Sequence, residues 1–274
     1  MYATNTILKN SKKSGKLIGT HQKIDKIARG QFLKMEGKKA KFPSVKSIQY
    51  FEGTNGPDGI KRKSPGVDEP WHYINPDDDD RRLAENVMDH QFNLGMAIRK
   101  KDDTRASFEA AWMAHAIVDG LTPPHHYPYN EMVGDLKKGR EALRFFGIQT
   151  SGIMPGDTAV EILKNNWLYW GTNGLYTSHV AFEFGVAFVV SATSMKALGK
   201  MPTNEEVVKM RENGFESSFY DSLKMVAGME MYYRFLESGW TAELALESKT
   251  KLVPEIIKCV TLGWMSAYEM KLDE

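Results

Sequence analysis

The stretch "TRASFEAAWMAHAIVDGLTPPHH", residues 104–126, decides how this chain is read. Its first seventeen residues, 104–120, are apolar nearly all round, which predicts a helix buried inside a helical protein. The prolines at 123 and 124 then stop it, since proline supplies no backbone N–H and clashes with the preceding turn. Yet this segment carries His115, Asp119, His125 and His126. Burying an imidazole and a carboxylate is costly unless they are paired or bound to a metal. Two readings follow: core histidines satisfied by carboxylates in a helix that ends in a turn, or a metal site.

Outward from that stretch the helical signals continue. "HQKIDKIARGQFL", 21–33, places Ile24, Ile27, Ala28 and Phe32 on one face. "DDRRLAENVMDHQFNLGMAIRKK", 79–101, opens acidic and closes basic, as the helix dipole prefers. The acids of "PDDDD" read as the start of that helix rather than as a metal motif, and His90 reads as a helix-surface residue. "GDTAVEILKNNWLYW", 156–170, is expected to be capped by Asp157, and its aromatics read as core packing rather than a substrate groove. "TSHVAFEFGVAFVVSATSMKAL", 177–198, reads as a buried helix capped by Thr177 or Ser178. Four further helical stretches run from residue 203 to residue 272, and no series of alternating strands stands out. Two long irregular stretches remain, at about 35–80 and 120–155, of a length that is usually functional or disordered. The expectation is an all-α chain forming a single multi-helix domain over 1–274, with 1–17 a flexible N-terminal segment.

The bulk composition excludes some functions. With 36 basic and 35 acidic residues the net charge is +1, which argues against a general electrostatic grip on nucleic acid or membrane. The single cysteine, Cys259, rules out an internal disulfide and a cysteine-based metal site. No run of about eighteen apolar residues is evident, so no integral membrane association is expected. The first residues lack the apolar segment of a secretory signal, so the chain as written reads as cytoplasmic, or as secreted if a leader has been trimmed away. No obligate protein partner is evident.

Three of the seven histidines have an acid four residues on, the spacing that shares a helix face: His21–Asp25, His115–Asp119 and His179–Glu183. With 35 acids in 274 residues, about one such pair arises by chance, so spacing alone is weak. Context favours the last two, whose helices are otherwise nearly uncharged. His21–Asp25 sits in a Lys-rich helix, where Asp25 reads as surface.

Taken together, H115-x3-D119-x5-H125 followed by H179-x3-E183 resembles the zinc-dependent phospholipase C and S1/P1 nuclease superfamily. An upstream His21, and Asp58 followed fourteen residues later by His72, extend the resemblance, which runs from about 18 to 190. It implies an all-α fold with long loops around a metal-containing cleft, holding two to three Zn2+ ions. Asp58, His72, His115 and Asp119 would hold one ion, and His125, His179 and Glu183 a second. His21 would share a third with a bridging Asp119. His125 is preferred to His126 because it keeps the six-residue step from Asp119, leaving His126 behind the ligands or at the surface. In the family the third zinc is also held by the amino group and carbonyl of an N-terminal tryptophan; here Leu8 or Lys9 falls near that place.

The implied activity is hydrolysis of a phosphodiester by metal-bound hydroxide attacking phosphorus, with Asp58 as the catalytic residue that orients the water or takes its proton. The substrate would be a phospholipid or single-stranded nucleic acid. Exposed aromatics around the cleft would favour the lipid, and an aromatic stacking slot, with Tyr73 as the candidate, the nucleic acid. The alternative is a degenerate, metal-stabilised binding or structural protein on the same scaffold.

Overall fold

The computed structural model describes residues 19–52, 55–63, 71–77, 79–126 and 154–270. The expected flexible segment 1–17 and most of the expected loop 120–155 lie outside them. The described chain is all-α. Helix α1 spans Thr20–Met35, α2 Val45–Tyr50, α3 Pro57–Lys63, α4 Arg82–Lys100 and α5 Asp103–Gly120, followed by a 3-10 turn at Pro123–His125. Then come α6 (Ala159–Trp170), α7 (Leu175–Ala192), α8 (Met195–Leu198) and α9 (Asn204–Ala227). The last are α10 (Met231–Ser238), α11 (Ala242–Glu247), a π turn at Ser248–Leu252, and α12 (Val253–Glu269). Thus the irregular stretch expected at 35–80 contains two short helices.

Helices α4 and α5 form an antiparallel hairpin, and α12 packs against α1, α4, α5 and α9. Small side chains explain the close approach: Ala106, Ala110, Ala111, Ala114 and Ala116 of α5 are buried, as are Ala84 and Ala97 of α4. Trp264 of α12 is fully buried and donates its ring N–H to the Ala110 carbonyl at 3.0 Å. At the end of α5, a Cβ on Gly120 would stand 2.9 Å from the Phe219 ring and 3.0 Å from Leu83. The absence of a side chain there lets α9 press onto the turn that carries Asp119.

The helix ends differ from expectation in instructive ways. Thr158, not Asp157, caps α6, accepting from the Glu161 N–H at 3.1 Å. Helix α7 begins at Leu175, ahead of Thr177 and Ser178, and Thr177 instead donates to the Trp170 carbonyl at 3.0 Å. Before α4, Asp80 accepts from the Arg82 backbone N–H and pairs with its guanidinium. The C-terminal end of α7 is tied to α1 by Lys23, whose ammonium donates to the carbonyls of Val190 at 2.5 Å and Thr193 at 2.6 Å.

Helix α7 is not buried all round. Its inward face is Phe182, Glu183, Val186 and Val190, while Phe188 is 73% exposed. On α6, Val160, Leu163, Trp167 and Trp170 recur at helical spacing and are exposed, Trp167 by 68%, so most of the "NNWLYW" aromatics are not core. Only Tyr169 turns in, beside Met154. The segment Val160–Ala192 reaches a mean hydropathy of 1.3, enough by length and composition for a membrane span, with 33% of that window buried. It is not an unbroken run of about eighteen apolar residues, since it includes Lys164, His179 and Glu183. The segment is also two helices separated at 171–174, and the second carries His179 and Glu183 turned inward.

Candidate metal centre

The end of α5 is the hub. Helical spacing puts His115 and Asp119 on one face, and His115 Nε2 lies 3.4 Å from Asp119 Oδ2. The 3-10 turn set by Pro123 and Pro124 brings His125 back over the same carboxylate, its Nδ1 4.0 Å from Asp119 Oδ1. His72 arrives on an extended stretch, its Nδ1 2.5 Å from Asp119 Oδ2. His21, near the start of α1, stacks on the His115 ring at 4.2 Å between centroids and places Nε2 3.9 Å from Asp119 Oδ1. Asp58, in the first turn of α3, lies 3.7 Å from His115 Nε2. One helix away, Glu183 Oε1 lies 3.2 Å from Nε2 of both His125 and His179, whose rings stack. All eight residues named from the sequence therefore meet in one connected group.

Among the described residues three sets could hold a metal ion: His72 with His115 and Asp119; His125 with His179 and Glu183; and His21 with Glu52 and His115. The second has the same members as a set implied by the family resemblance, and the first has three of the implied four, without Asp58. The third brings in Glu52, which the sequence reading missed. Glu52 is buried just after α2, with Oε2 3.2 Å from His115 Nδ1.

The donor chemistry fits zinc, which accepts imidazole nitrogen and carboxylate oxygen. A further sign is that several buried polar atoms have no hydrogen-bond partner among the described residues: both ring nitrogens of His21, Nε2 of His72, and both carboxylate oxygens of Asp25. Each such atom ordinarily costs about 1–3 kcal/mol, so a cluster of them points to a ligand.

The electrostatics show how tightly the centre is wound. Burial alone would raise Asp119, but the charges of His115 and His125 overcome it and hold the carboxyl well below its usual range. Burial would lower His115, yet Asp119 and Glu52 hold it well above the ordinary imidazole value. Burial, aided by His115, pushes His21 well down. Burial also lowers His126 to about 4; its Nε2–H donates to the Gly120 carbonyl at 2.7 Å, behind the cluster.

Two residues are corrected. Asp25 is 1% exposed rather than surface, and burial followed by the charge of Glu52 raises its carboxyl well above the usual range. His90 is not a surface residue either: its Nδ1 pairs at 2.5 Å with fully buried Glu109. Tyr73 is half-buried, 5.2 Å from the His125 ring and packed beside Met154 and Tyr169.

No family model matches the chain, and no curated protein does. Among solved structures it is similar to the alpha-toxin of Clostridium perfringens from the avian strain SWCP, with 12% sequence identity and a TM-score of 0.52. The match covers 91% of this chain and 62% of the toxin chain, so this chain spans less than two thirds of that protein. At this identity the similarity establishes a shared fold.

Proposed function

We propose that the chain is a zinc-dependent phosphodiester hydrolase that works at a phospholipid surface. The observation that carries the reading is the convergence of His21, Asp58, His72, His115, Asp119, His125, His179 and Glu183 into one largely buried group from α1, α3, α5, α7 and two connecting stretches. The family resemblance and the shared fold support it. His72, His115 and Asp119 with Asp58 would hold one ion, His125, His179 and Glu183 another, and His21 with Asp119 a third. When bound, zinc would supply Lewis-acid activation of water and would offset charge developing on the phosphoryl oxygens.

The protein's own groups divide the remaining work. Asp119 touches both halves of the cluster and orders them. Asp58 has a side chain 25% exposed against 4% for Asp119, so it stands at the solvent edge where the attacking water enters. There it orients that water and accepts its proton. The lipid choice rests on the exposed stripe of Val160, Leu163 and Trp167 on α6, together with Phe188 on α7. Helix α7 carries cluster residues on its opposite face. From residue 160 to residue 200 the exposed charges are Glu161 against Lys164, Lys196 and Lys200, a basic excess that suits anionic lipid. Tyr73, packed against its neighbours, offers weaker support for a base-stacking slot.

The test is release of a phosphorylated headgroup from phospholipid in mixed micelles, run beside cleavage of a single-stranded oligonucleotide. Lipid turnover that chelator abolishes and zinc restores is expected. Zinc-restored cleavage of the oligonucleotide alone would move the reading to the nuclease side. No turnover of either by zinc-loaded protein would leave the metal-stabilised scaffold without catalysis.

A further inference from the structure

We infer that Glu52 is a positioning residue that fixes the orientation and tautomer of His115; the inference rests on the metal reading above. Glu52 sits 63 residues before His115 in the chain and is 2% exposed. Its Oε2 lies 3.2 Å from His115 Nδ1, so the Nδ1–H donates to it. Metal binding requires the imidazole to be neutral and to release one proton, and a remaining proton held on Nδ1 leaves the lone pair on Nε2. Nε2 is the atom that faces Asp119 at 3.4 Å and Asp58 at 3.7 Å. His21, stacked on the ring face, blocks its rotation out of that line. A carboxylate behind a ligating histidine both orients the ring and raises its basicity.

The neighbouring histidine follows the same rule with a different acceptor. His125 Nδ1 donates to the His72 backbone carbonyl at 2.8 Å, which turns Nε2 toward Glu183 at 3.2 Å. At His125 the backbone fixes the tautomer; at His115, inside a helix whose carbonyls are used, a side chain must do so. Direct ligation by Glu52 through the His21–Glu52–His115 set is the competing geometry. Glu52 lies nearest the Nδ1 side of the ring, whereas Asp119 and Asp58 lie against Nε2.

The experiment measures zinc affinity and stoichiometry of the full chain by chelator competition for the parent, Glu52→Gln and Glu52→Ala, with circular dichroism as the folding control. Gln keeps an acceptor for the Nδ1–H and Ala does not. The expected result is unchanged stoichiometry, affinity within a few-fold of the parent for Gln, and about 10- to 100-fold weaker binding for Ala. Equal affinity in all three would overturn the inference while leaving the metal reading intact. Loss of one whole ion in both variants would make Glu52 a ligand and also overturn it. A parent that takes up no zinc would remove the proposed function and this inference together. Because the Ala variant could fail to fold, histidine nitrogen NMR of the zinc-loaded parent provides a second test. His115 should show a protonated Nδ1 and a metal-shifted Nε2, and the reverse pattern would overturn the assignment.

Discussion

Helices α5 and α7 invite comparison because their sequences look alike. Each is apolar over most of its length, and each carries a histidine and a carboxylate four residues apart, His115–Asp119 and His179–Glu183. In the folded chain they are treated differently. Helix α5 is enclosed by α4, α12, α2 and α1, and thirteen of its residues are buried. Helix α7 buries one stripe and leaves Phe188 exposed on the other side. Apolar composition therefore marks a helix that avoids water without saying what replaces the water. For α5 it is the protein interior; for the α6–α7 surface we propose lipid.

The largest effect should come from the shared carboxylate. Asp119→Asn removes the charge and replaces one of the two oxygens that the halves of the cluster approach, whereas Glu183→Gln disturbs only the α7 half. We expect Asp119→Asn to lower turnover by at least about 10^3-fold, beyond the 10- to 100-fold of a residue that merely supports a ligand, and to lower zinc content. Turnover and zinc content at the parent's level would break the account of Asp119 as hub.

Within α7 two phenylalanines six residues apart sharpen the contrast. Phe182 is fully buried against Tyr232, Phe235 and Trp240, so Phe182→Ala should cost about 3–5 kcal/mol in denaturant unfolding. Phe188→Ala should stay within about 0.5 kcal/mol of the parent. A similar loss at both positions would mean that the outer face is covered in solution.

The double change Trp167→Ser with Phe188→Ser tests what that face does. Hydrolysis of lipid in anionic vesicles should fall by about 10-fold or more, since each aromatic withdraws substantial apolar area from water on docking. Hydrolysis of a soluble phosphodiester should be unchanged. Equal effects on both substrates would argue against a surface role.

The smallest effect concerns a carboxylate pair far more open than the one around Asp25. Burial, then the hydrogen bond and charge of Glu269, raise Glu36 to about 7. A carboxyl raised in the folded state stabilises the fold below its unfolded value of 4.5, and that contribution is lost as pH rises through about 7. Glu36→Gln should therefore stabilise the chain at pH 8, by less than about 1 kcal/mol given the solvent screening, and have little effect near pH 5. Melting curves at the two pH values decide it; a pH-independent difference would contradict the assignment.

Much of the centre was legible because local rules carry it. Helical spacing pairs His115 with Asp119 and His179 with Glu183, and two prolines turn the chain so that His125 returns. Glu52 was not legible. It has no helical partner, and it meets His115 only through the packing of α2 on α5. Asp25 was misread because the lysines around it in α1 suggested a solvent face, while its own side of the helix is buried with His21 and Gln22. His90 was misread because its buried partner Glu109 lies on another helix, beyond the reach of local spacing. The outer faces of α6 and α7 were misread because hydropathy alone does not separate a core from a docking surface.

The most direct test of the metal centre is the zinc content of protein purified without chelators or a metal-binding tag, measured by elemental analysis. The proposed function predicts about two to three zinc ions per chain, removed by chelator and regained on adding zinc back. A chain that holds none, and takes none up, would reduce the cluster to core histidines paired with carboxylates and would contradict the hydrolase reading.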